Sequence, residues 1–492
     1  MFNGTHRIVG AGTAAATGEE YMNIIFNRSF DPAPIKIEVD SFNPTTGATS
    51  ATVTMVSTTY SLAGADFNIV LLEEDVNTAP TTYDDTHVAR ALYSESITLS
   101  GAGNTAPFNT TFAIDPGWNT SNLRVVAFVQ VADQSIIQTG SSYPMPDFKA
   151  RAMVPFSRTV IGPGDAPYES DPLTVMNVGL TDTFTISATI DEAPPGWTVA
   201  FRDGGGTLHT DPLAFGLAGD AQTTFTAVVI PVSAGYARYH LTVTSPNMAR
   251  PLEIPFTYIT DTVDAMLVDD DGGEAFEDYF TTALQNSGVS YGVWDRGASA
   301  LTAEVAQITE LLIWNAGWAF PSLDADDQTF LTQYLGDGKA LFISGQDVGW
   351  DLVANGGGAA FYQNVLHTTY IRDDTNIYDL NGVAGDPITD GLTLRIIGGT
   401  GASNQEYPDE IAPADGDAAA ILNYQGDGCG AIRATDSVSG AKIVNLGFGF
   451  EAIDSYEDQR ALMVPAVHWL LDIVFADGFE DASTGAWTLS VP

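Results

Sequence analysis

The sequence predicts a multidomain β plus α/β protein, in which two antiparallel β-sandwiches are followed by an α/β domain. Three observations support this prediction. The chain has 492 residues, more than one ordinary domain contains. Short runs of alternating apolar and polar residues, separated by turn residues, occupy residues 29–262 and are typical of β-sandwiches. Beyond residue 262, apolar strands alternate with segments of helical spacing, which predicts a parallel sheet with helices on its faces.

Turn and linker residues divide the chain into five segments, 1–28, 29–148, 149–262, 263–474 and 475–492. The first segment is expected to form one strand and one helix, which is too little to bury a core. The second and third segments are the two sandwiches, and Pro144 and Pro146 mark the linker between them. The fourth is the α/β domain, and the fifth is a polar C-terminal extension.

The predicted elements follow from the two periodicities. Alternation with period two predicts strands in the first sandwich at Ile35–Val39, Ala51–Met55, Asn68–Leu72, Ser96–Leu99, Thr111–Ile114 and Leu123–Val131. It predicts strands in the second sandwich at Thr181–Ile190, Thr223–Pro231 and Ala237–Ser245. The α/β domain is expected to contain strands at Ala265–Val268, Ser290–Trp294, Leu311–Trp314, Ala340–Ser344 and Lys442–Leu446, and helices at Phe276–Leu284, Asp326–Leu335 and Asp458–Val474.

The composition bounds the function. A hydrophobic fraction of 45% excludes wholesale disorder. The 62 acidic residues against 18 basic ones give a formal net charge of −44, which repels phosphate backbones and anionic lipids, so nucleic-acid binding is not expected. The same charge repels itself, and salt or divalent cations should stabilise the folded chain. Solubility in a salty medium and dedicated cation sites are both compatible with this charge.

The cysteine count and the hydropathy exclude other classes. Cys429 is the single cysteine, so neither an intrachain disulfide nor a cysteine-based zinc site can form. No apolar run approaches the ~20 residues that span a bilayer, so no transmembrane segment is expected. The first six residues lack the basic and apolar regions of a signal peptide. We interpret the chain as a mature, trimmed or misassigned product.

Through Phe2–Gly10 and Trp118–Gln130, the N-terminal part resembles the end of the Omp28-related family of bacterial outer-membrane or secreted proteins. Phe2–Gly10 is similar to the last strands of that family's thioredoxin-like domain, which implies that segment 1–28 is a remnant of such a domain. Trp118–Gln130 resembles a strand of the β-sandwich that follows it. Because the cysteine pair of the thioredoxin-like core is missing, the resemblance carries no redox activity.

Two further resemblances cover the rest of the chain. Asp182–Ile190 and Pro195–Trp197 are similar to bacterial immunoglobulin-like or NEW3-like modules, a resemblance that says little about function. Leu267–Gly273, Leu312–Asn315 and Phe342–Gly349 resemble the class I glutamine amidotransferase-like fold, which is flavodoxin-like. This last resemblance implies a catalytic cysteine in the turn after the fourth strand, and a His–Glu pair late in the domain.

The sequence departs from that catalytic pattern. Strand Ala340–Ser344 runs into a Gly-x-Asp-x-Gly turn, hereafter the elbow, where such folds place Ser or Cys, but its central residue is Asp347. Glu451 has no histidine beside it. Because triad chemistry needs a nucleophile, a base and an orienting group, we predict a degenerate elbow, marked by Asp347 and Glu451, with no catalytic residue. Asp347 as a carboxylate nucleophile is the alternative.

Four aspartates are the candidate metal ligands. Asp269, Asp270 and Asp271 follow the first strand of the α/β domain and Asp347 follows the fourth, and ligands bind at the carboxyl ends of such strands. Their oxygens suit Ca²⁺ or Mg²⁺, and Ca²⁺ is the one cofactor that the sequence favours. Alternatively, Asp271 and Asp347 cap helix N-termini.

The function predicted from these observations is that of a non-catalytic structural or adhesion protein of the bacterial exterior, extracellular, at the cell surface or in the periplasm. Its expected partners are further copies of itself, other surface proteins or glycans, because sandwich edges accept added strands. One alternative is a metal-assisted hydrolase or transferase that uses the acidic strand ends. Another is a carbohydrate-binding protein that uses Trp118, Trp318 and Trp350, whereas Trp197, Trp294 and Trp314 are expected in the cores.

Overall fold

The computed structural model describes residues 30, 33–76, 85–132, 135–143, 147–285, 287–297, 300–426 and 428–473. The predictions for segments 1–28 and 475–492, and for the linker prolines, lie outside the described residues. β-Sheet predominates in the described part of the chain, in several sandwich-like layers. No helix of this part is long and apolar enough to cross a bilayer.

The first two sheets share one core. The strands are β1 (Ile35–Phe42), β2 (Ala48–Met55), β3 (Ser61–Val76), β4 (Asp85–Ser100), β5 (Thr105–Thr111), β6 (Leu123–Gln130) and β7 (Ile136–Ser141). They form a sheet in the order β1-β2-β5 and another in the order β4-β3-β6-β7, and all pairings are antiparallel. In β6 every second residue is fully buried, as a strand with one core-facing side requires.

The next two sheets enclose a second core. The strands are β8 (Ala150–Met153), β9 (Thr159–Gly162), β10 (Tyr168–Glu169), β11 (Leu173–Asn177), β12 (Asp182–Glu192), β13 (Thr198–Asp203), β14 (Leu208–His209), β15 (Leu213–Leu217), β16 (Gln222–Ile230), β17 (Tyr236–Thr244) and β18 (Leu252–Thr260). One sheet has the order β14-β13-β16-β11-β8, with β10 also on β16, and the other the order β15-β12-β17-β18-β9. Trp197 is buried between them, which confirms its predicted core position.

One pairing of this second sandwich is parallel, whereas the sequence predicted antiparallel strands throughout. Strand β9 runs parallel to β18, with Thr159 opposite Thr257 and Gly162 opposite Thr260. The two strands are far apart in the sequence, so no tight hairpin turn forces them to run in opposite directions.

The C-terminal part contains an eleven-stranded mixed sheet and the α-helices that the structure describes. Its strands are β19 (Ala265–Asp269), β20 (Tyr291–Asp295), β21 (Leu311–Asn315), β22 (Ala340–Ser344), β23 (Thr368–Arg372), β24 (Asp379–Gly382), β25 (Thr393–Arg395), β26 (Glu410–Pro413), β27 (Ala418–Tyr424), β28 (Cys429–Thr435) and β29 (Lys442–Leu446). Its α-helices are α1 (Glu277–Leu284), α2 (Ala303–Ile308), α3 (Ala325–Gly336), α4 (Ala359–Asn364) and α5 (Tyr456–Leu470).

Five neighbouring strands of this sheet are parallel, in the order β20-β19-β21-β22-β29. After β19 the chain turns to one side to form β20 and then to the other side to form β21, so the switch point lies between β19 and β21. The register sets Asp269 opposite Asp295 and Asn315, and Asn315 opposite Ser344. The carboxyl ends of these strands therefore form one edge, hereafter the carboxyl edge.

The other half of the mixed sheet is antiparallel, which the sequence analysis did not predict. Strands β28, β27, β24 and β25 extend the sheet beyond β29, and β23 and β26 pair beside them. These strands are three to seven residues long, and two of their pairings contain register shifts. Runs this short and irregular lack the sustained alternation that identifies a strand in a sequence.

The second sandwich packs directly against the mixed sheet. Tyr236 and Ile259 of the sandwich belong to the same buried cluster as the apolar residues of the mixed sheet. The rings of Tyr236 and Tyr291 lie 5.5 Å apart, and a Cβ on Gly292 would lie 2.7 Å from Cγ2 of Ile259. The junction between these two parts is therefore closely packed.

Candidate functional site

A group of three carboxylates lies at the carboxyl edge, beside the switch point. Ligand oxygens of Asp269, Asp271 and Glu277 all lie within 4.8 Å of one another. Asp269 ends β19, Asp271 follows it in the loop, and Glu277 begins α1. The loop thus returns the chain to the strand end that it has just left.

Asp271 organises this loop. Its Oδ1 accepts a hydrogen bond from the backbone N–H of Gly273 at 2.9 Å, and its Oδ2 accepts one from Phe276 at 3.1 Å. Gly272 and Gly273 have φ of +86° and +94°, values that glycine adopts without strain. Phe276 immediately precedes α1, so Asp271 satisfies a backbone donor beside the helix start, although Phe276, the N-cap residue, provides no side-chain cap.

Several oxygens in and beside this group are buried without a hydrogen-bond partner. They are Oδ1 of Asp269, Oε2 of Glu277 and Oδ1 of Asn315. Asn315 is fully buried at the end of β21, and its Nδ2 lies 3.5 Å from Oδ2 of Asp271. Buried polar atoms are rarely left without a hydrogen-bond partner in folded proteins, so three such oxygens close together are unusual.

The electrostatics of the group are dominated by burial and by like charges. Burial, with the charges of Asp271 and Glu277, raises the pKa of Asp269 well above its ordinary value. Burial raises the pKa of Asp271 to about 7 and also raises that of Glu277. Arg238 of the second sandwich opposes the shifts of Asp269 and Glu277, and its Nη1 lies 3.3 Å from Oε1 of Glu277.

Glu451 lies deeper on the same side. It is 1% exposed, and its Oε1 accepts a hydrogen bond from Nδ2 of Asn404 at 2.7 Å, whereas Oε2 has no partner. Burial raises the pKa of Glu451, and its charge in turn contributes to the raised pKa of Asp271. Glu451 therefore adds negative charge beside the carboxylate group.

The side chain of Asp270 does not belong to the group formed by Asp269, Asp271 and Glu277. Its Oδ2 accepts a hydrogen bond from Nε1 of Trp314 at 3.1 Å. Burial and the charge of Asp327 raise the pKa of Asp270 to about 8, and Arg296 opposes the shift. Asp270 is not among the three carboxylates grouped within 4.8 Å. Asp270 thus lies near the ion pair of Arg296 with Asp327, whose charges act on it.

Asp347 also lies outside the group, so the expected four-aspartate set is not assembled. The elbow passes from β22 into a π-helix, Trp350–Ala354, and the N–H of Asp351 donates to the carbonyl of Asp347 at 2.9 Å. Burial and the charge of Asp373 raise the pKa of Asp347 to about 6. The charges of Asp351 and Glu406 contribute to the same increase in the pKa of Asp347.

Asp409, which the sequence analysis did not single out, performs the capping role at the elbow. It is fully buried, and its Oδ2 accepts a hydrogen bond from the N–H of Trp350 at 3.1 Å. A Cβ on Gly349 would lie 2.6 Å from this oxygen, which explains the second glycine of the elbow. Burial raises the pKa of Asp409 to about 9, although the N–H of Trp350 opposes the shift.

The histidines are bonded away from these carboxylates. Each of the four histidine side chains that the structure describes contacts a partner other than Asp347 or Glu451. The contacts are His209 with Asp203, His240 with Asp191, His367 with Asp415 and Asp436, and His468 with the carbonyl of Ser287.

A second group of candidate ligands consists of His367, Asp417 and Asp436. Nε2 of His367 lies 3.2 Å from Asp436, and its Nδ1 lies 2.8 Å from Asp415. Asp417 and Asp436 also accept hydrogen bonds from the backbone N–H groups of Ser437 and Ser439. The polar atoms of this second group are thus paired with protein partners.

Aromatic side chains flank the elbow. Trp318 is 37% exposed and Phe320 is 66% exposed, and the ring of Phe320 lies 6.2 Å from that of Trp350. Trp294 and Trp314 are buried in the mixed-sheet core, as predicted. Cys429 is buried, and burial raises its pKa to about 12, so its thiol is not activated.

Glu277, Asn315 and Arg238 were missed in the sequence analysis. Glu277 carried a usable signal, because it is an acidic residue at the first helical position after the Asp-rich turn. Asn315 carried a weaker one, as a polar residue that ends an apolar strand. Arg238 carried none, because only the packing of the sandwich brings it to the α1 helix.

No protein-family model matches this chain, and no curated protein matches it. Solved structures with likeness include a PapD-like domain of human CEP192, at 11% identity, covering 24% of this chain and 89% of that one with a TM-score of 0.16. A CARDB domain from Pyrococcus furiosus, solved with di-metal ions, has 15% identity, covers 24% of this chain and 97% of its own, and has a TM-score of 0.17. The CooA pilin subunit of enterotoxigenic Escherichia coli has 7% identity, covers 23% and 96%, and has a TM-score of 0.18.

Proposed function

We propose that this chain is a non-catalytic structural or adhesion protein of the bacterial exterior. We further propose that its mixed sheet is a diverged amidotransferase-like domain, and that the N-terminal sandwich derives from an Omp28-related protein. The observation that carries the proposal is the surroundings of Asp347. The charges that raise its pKa come from Asp373, Asp351 and Glu406, so acids surround the position where a triad needs a base.

The composition supports an exterior location and a role in contacts. A net charge of −44 keeps the folded chain soluble at the high ionic strength of an external medium. Strand β7 lies at the end of its sheet order, as do β8 and β9 in the second sandwich. Strands at the ends of sheets have unpaired backbone groups that can accept a strand from another copy of the chain.

Enzyme assays and assembly assays together test the proposal. The purified chain would be incubated with glutamine and with ester, amide and phosphate substrates, with Ca²⁺ or Mg²⁺, alongside Asp347→Asn as a matched control. We expect no turnover above that of the variant, together with self-association in analytical ultracentrifugation or binding to bacterial cells. Turnover that is lost in Asp347→Asn would establish an enzyme and refute the proposal.

Carbohydrate binding is a second candidate, which the exposed aromatic residues at the elbow favour. Trp318 and Phe320 are partly exposed to solvent, and ligand sites in proteins are often lined by aromatic side chains. Trp318→Ala should abolish glycan-dependent quenching of tryptophan fluorescence. Trp118→Ala is the control, because Trp118 packs in the first sandwich under the guanidinium of Arg90. Equal losses in both variants, or no signal on a glycan array, would remove this candidate.

A further inference from the structure

We infer that Asp269, Asp271 and Glu277, together with the amide oxygen of Asn315, form a binding site for one Ca²⁺ ion where the second sandwich meets the mixed sheet. The site does not depend on whether the chain is catalytic, so its test is independent of the proposed function.

The first argument is the position of the ligand atoms. Three carboxylates present oxygens within 4.8 Å of one another. Oxygens bound to one Ca²⁺ ion lie about 2.3–2.6 Å from it, so two oxygens on the same ion are at most about 5 Å apart. Small adjustments of side chains would therefore suffice to bring the three carboxylates onto one ion.

The second argument is independent of the acidic residues. Asn315 is a neutral side chain with no exposed surface, and its Oδ1 has no partner. Its amide group lies against Asp271, on the neighbouring strand end. An unpartnered buried amide oxygen is destabilising unless something accepts its electron pair, and an amide oxygen is a common calcium ligand. Asp269 and Glu277 each have one further buried oxygen without a hydrogen-bond partner.

The third argument is charge. Three carboxylates face a single guanidinium, that of Arg238, and Glu451 contributes further negative potential. Buried charges require compensation by partners or by a metal. A divalent cation supplies two positive charges at the point where the carboxylates converge.

The donor set selects the class of cation. All the candidate ligand atoms are oxygens, which suit Ca²⁺, whereas zinc sites in proteins use mainly nitrogen and sulfur. Mg²⁺ usually retains several of its waters and binds through one or two carboxylates. Three carboxylates with an amide oxygen supply more protein ligands than Mg²⁺ commonly takes, so Ca²⁺ fits better.

The site would join three parts of the protein. Asp269 belongs to the sheet, Glu277 to the start of α1, and Arg238, which contacts Glu277, to the sandwich. The hydrogen bonds from Gly273 and Phe276 already hold Asp271 in place, so binding orders little additional chain. A bound ion should therefore stabilise the junction and not merely a loop.

Terbium luminescence of the full chain tests the inference, because Tb³⁺ replaces Ca²⁺ and emits when nearby tryptophans are excited. The backbone N–H of Trp318 donates to the carbonyl of Asp271 at 2.9 Å. A tryptophan that can transfer excitation energy to Tb³⁺ therefore lies close to the proposed site. We expect one sensitised Tb³⁺ per chain, displaced by Ca²⁺ at physiological salt. Ca²⁺ at about 100 times its dissociation constant should raise the melting temperature by about 5 °C.

Three variants give the discriminating result. Glu277→Gln and Asp269→Asn should each weaken Tb³⁺ binding at least tenfold. In EDTA, Asp269→Asn should melt no lower than the wild type, because a repelling charge is gone, whereas Glu277→Gln also loses the charged hydrogen bond with Arg238. Asp417→Asn removes the same charge from the second group and should leave the affinity unchanged.

The inference is overturned if Tb³⁺ emission is absent or if Ca²⁺ leaves the melting temperature unchanged. It is also overturned if Glu277→Gln and Asp269→Asn keep the wild-type affinity, or if Asp417→Asn loses affinity equally, which would show diffuse attraction to an acidic surface.

Discussion

Arg238 of the second sandwich donates a hydrogen bond from Nη1 to Oε1 of Glu277, the first residue of α1, at 3.3 Å. The carboxylate of Glu277 is largely buried, with a side-chain exposure of 14%. This contact crosses the junction between the sandwich and the mixed sheet. The guanidinium also opposes the raised pKa of Asp269, so a single cation from the sandwich compensates the strand end of the sheet.

Removing this guanidinium should destabilise the folded chain. We expect Arg238→Gln to lower the free energy of unfolding in EDTA by about 1–3 kcal/mol, because hydrogen bonds to charged groups contribute about that much. Urea denaturation measures the change. Arg395→Gln is the matched control, since Arg395 pairs with Asp379 in an exposed ion pair and should cost less than about 1 kcal/mol. Equal losses in the two variants would contradict the assigned role of Arg238.

Asp409 should make stability depend on pH. Its folded-state pKa is about 9, so the folded protein keeps a proton that an unfolded aspartate, with a pKa of about 3.9, has lost. Between these values the folded state binds more protons, and stability falls as the pH rises, with a limiting slope of about 1.4 kcal/mol per pH unit for one group. Asp409→Asn should reduce this slope, because the amide keeps its shape and cannot ionise.

Urea unfolding at a series of pH values between these two pKa values measures the slope. Asp436→Asn is the control, because Asp436 should change stability with pH in the opposite direction. The hydrogen bond from the N–H of Ser439 lowers the pKa of Asp436. Asp436 therefore contributes stability above its ordinary pKa that is lost only as the pH falls toward acid. An Asp409→Asn variant with the full wild-type slope would show that this carboxyl ionises normally in the folded protein.

Gly317 should be required for the geometry of Asp271. Its φ is +40°, and a Cβ there would lie 2.7 Å from Cα of Asp271. We expect Gly317→Ala to displace Asp271 and to weaken Tb³⁺ binding about tenfold or more, which corresponds to about 1.4 kcal/mol. Gly385→Ala is the control, because Gly385 also has a positive φ, of +75°, but its Cβ would meet no atom within 4 Å. Unchanged affinity in Gly317→Ala would contradict this explanation.

Ser344 should hold the end of β22 to the segment that precedes Glu451. Its Oγ accepts a hydrogen bond from the N–H of Phe450 at 2.6 Å and donates one to the carbonyl of Phe448 at 3.2 Å. Ser344→Ala leaves a buried N–H unpaired, so we expect a loss of about 1–3 kcal/mol in thermal or urea unfolding. Ser41→Ala removes an exposed bond to Ser50 and should change stability by no more than about 0.5 kcal/mol. A comparable cost for both variants would be the contradicting result.

The regular parts of the fold could be predicted because the order of apolar and polar residues shows which positions are buried. Strands β22 and β29 begin and end at the predicted residues, since continuous apolar runs end at polar ones. Helix α3 was predicted as Asp326–Leu335 and spans Ala325–Gly336, and the side chain of Asp324 caps its start. Helix α5 begins two residues earlier than predicted, at Tyr456, because Ser455 caps it.

The candidate site could be predicted only in part. Asp269 and Asp271 were expected at a carboxyl edge because they follow an apolar strand. Asp270 and Asp347 were included because the sequence shows which residues follow a strand, but not the direction in which each side chain points. Contacts of Glu277 with Arg238 depend on packing between segments that are far apart in the chain, which no local periodicity encodes. The antiparallel half of the mixed sheet was missed because its strands are short and irregular and lack a sustained alternation.

Anomalous diffraction from crystals of the full chain soaked in Tb³⁺ tests most directly whether the carboxyl edge binds a cation and performs no covalent chemistry. The account predicts one strong peak among the oxygens of Asp269, Asp271 and Glu277, at coordination distances of about 2.3–2.6 Å. It is contradicted if that position carries no peak, or if the electron density shows an imidazole or a covalent adduct on Asp347.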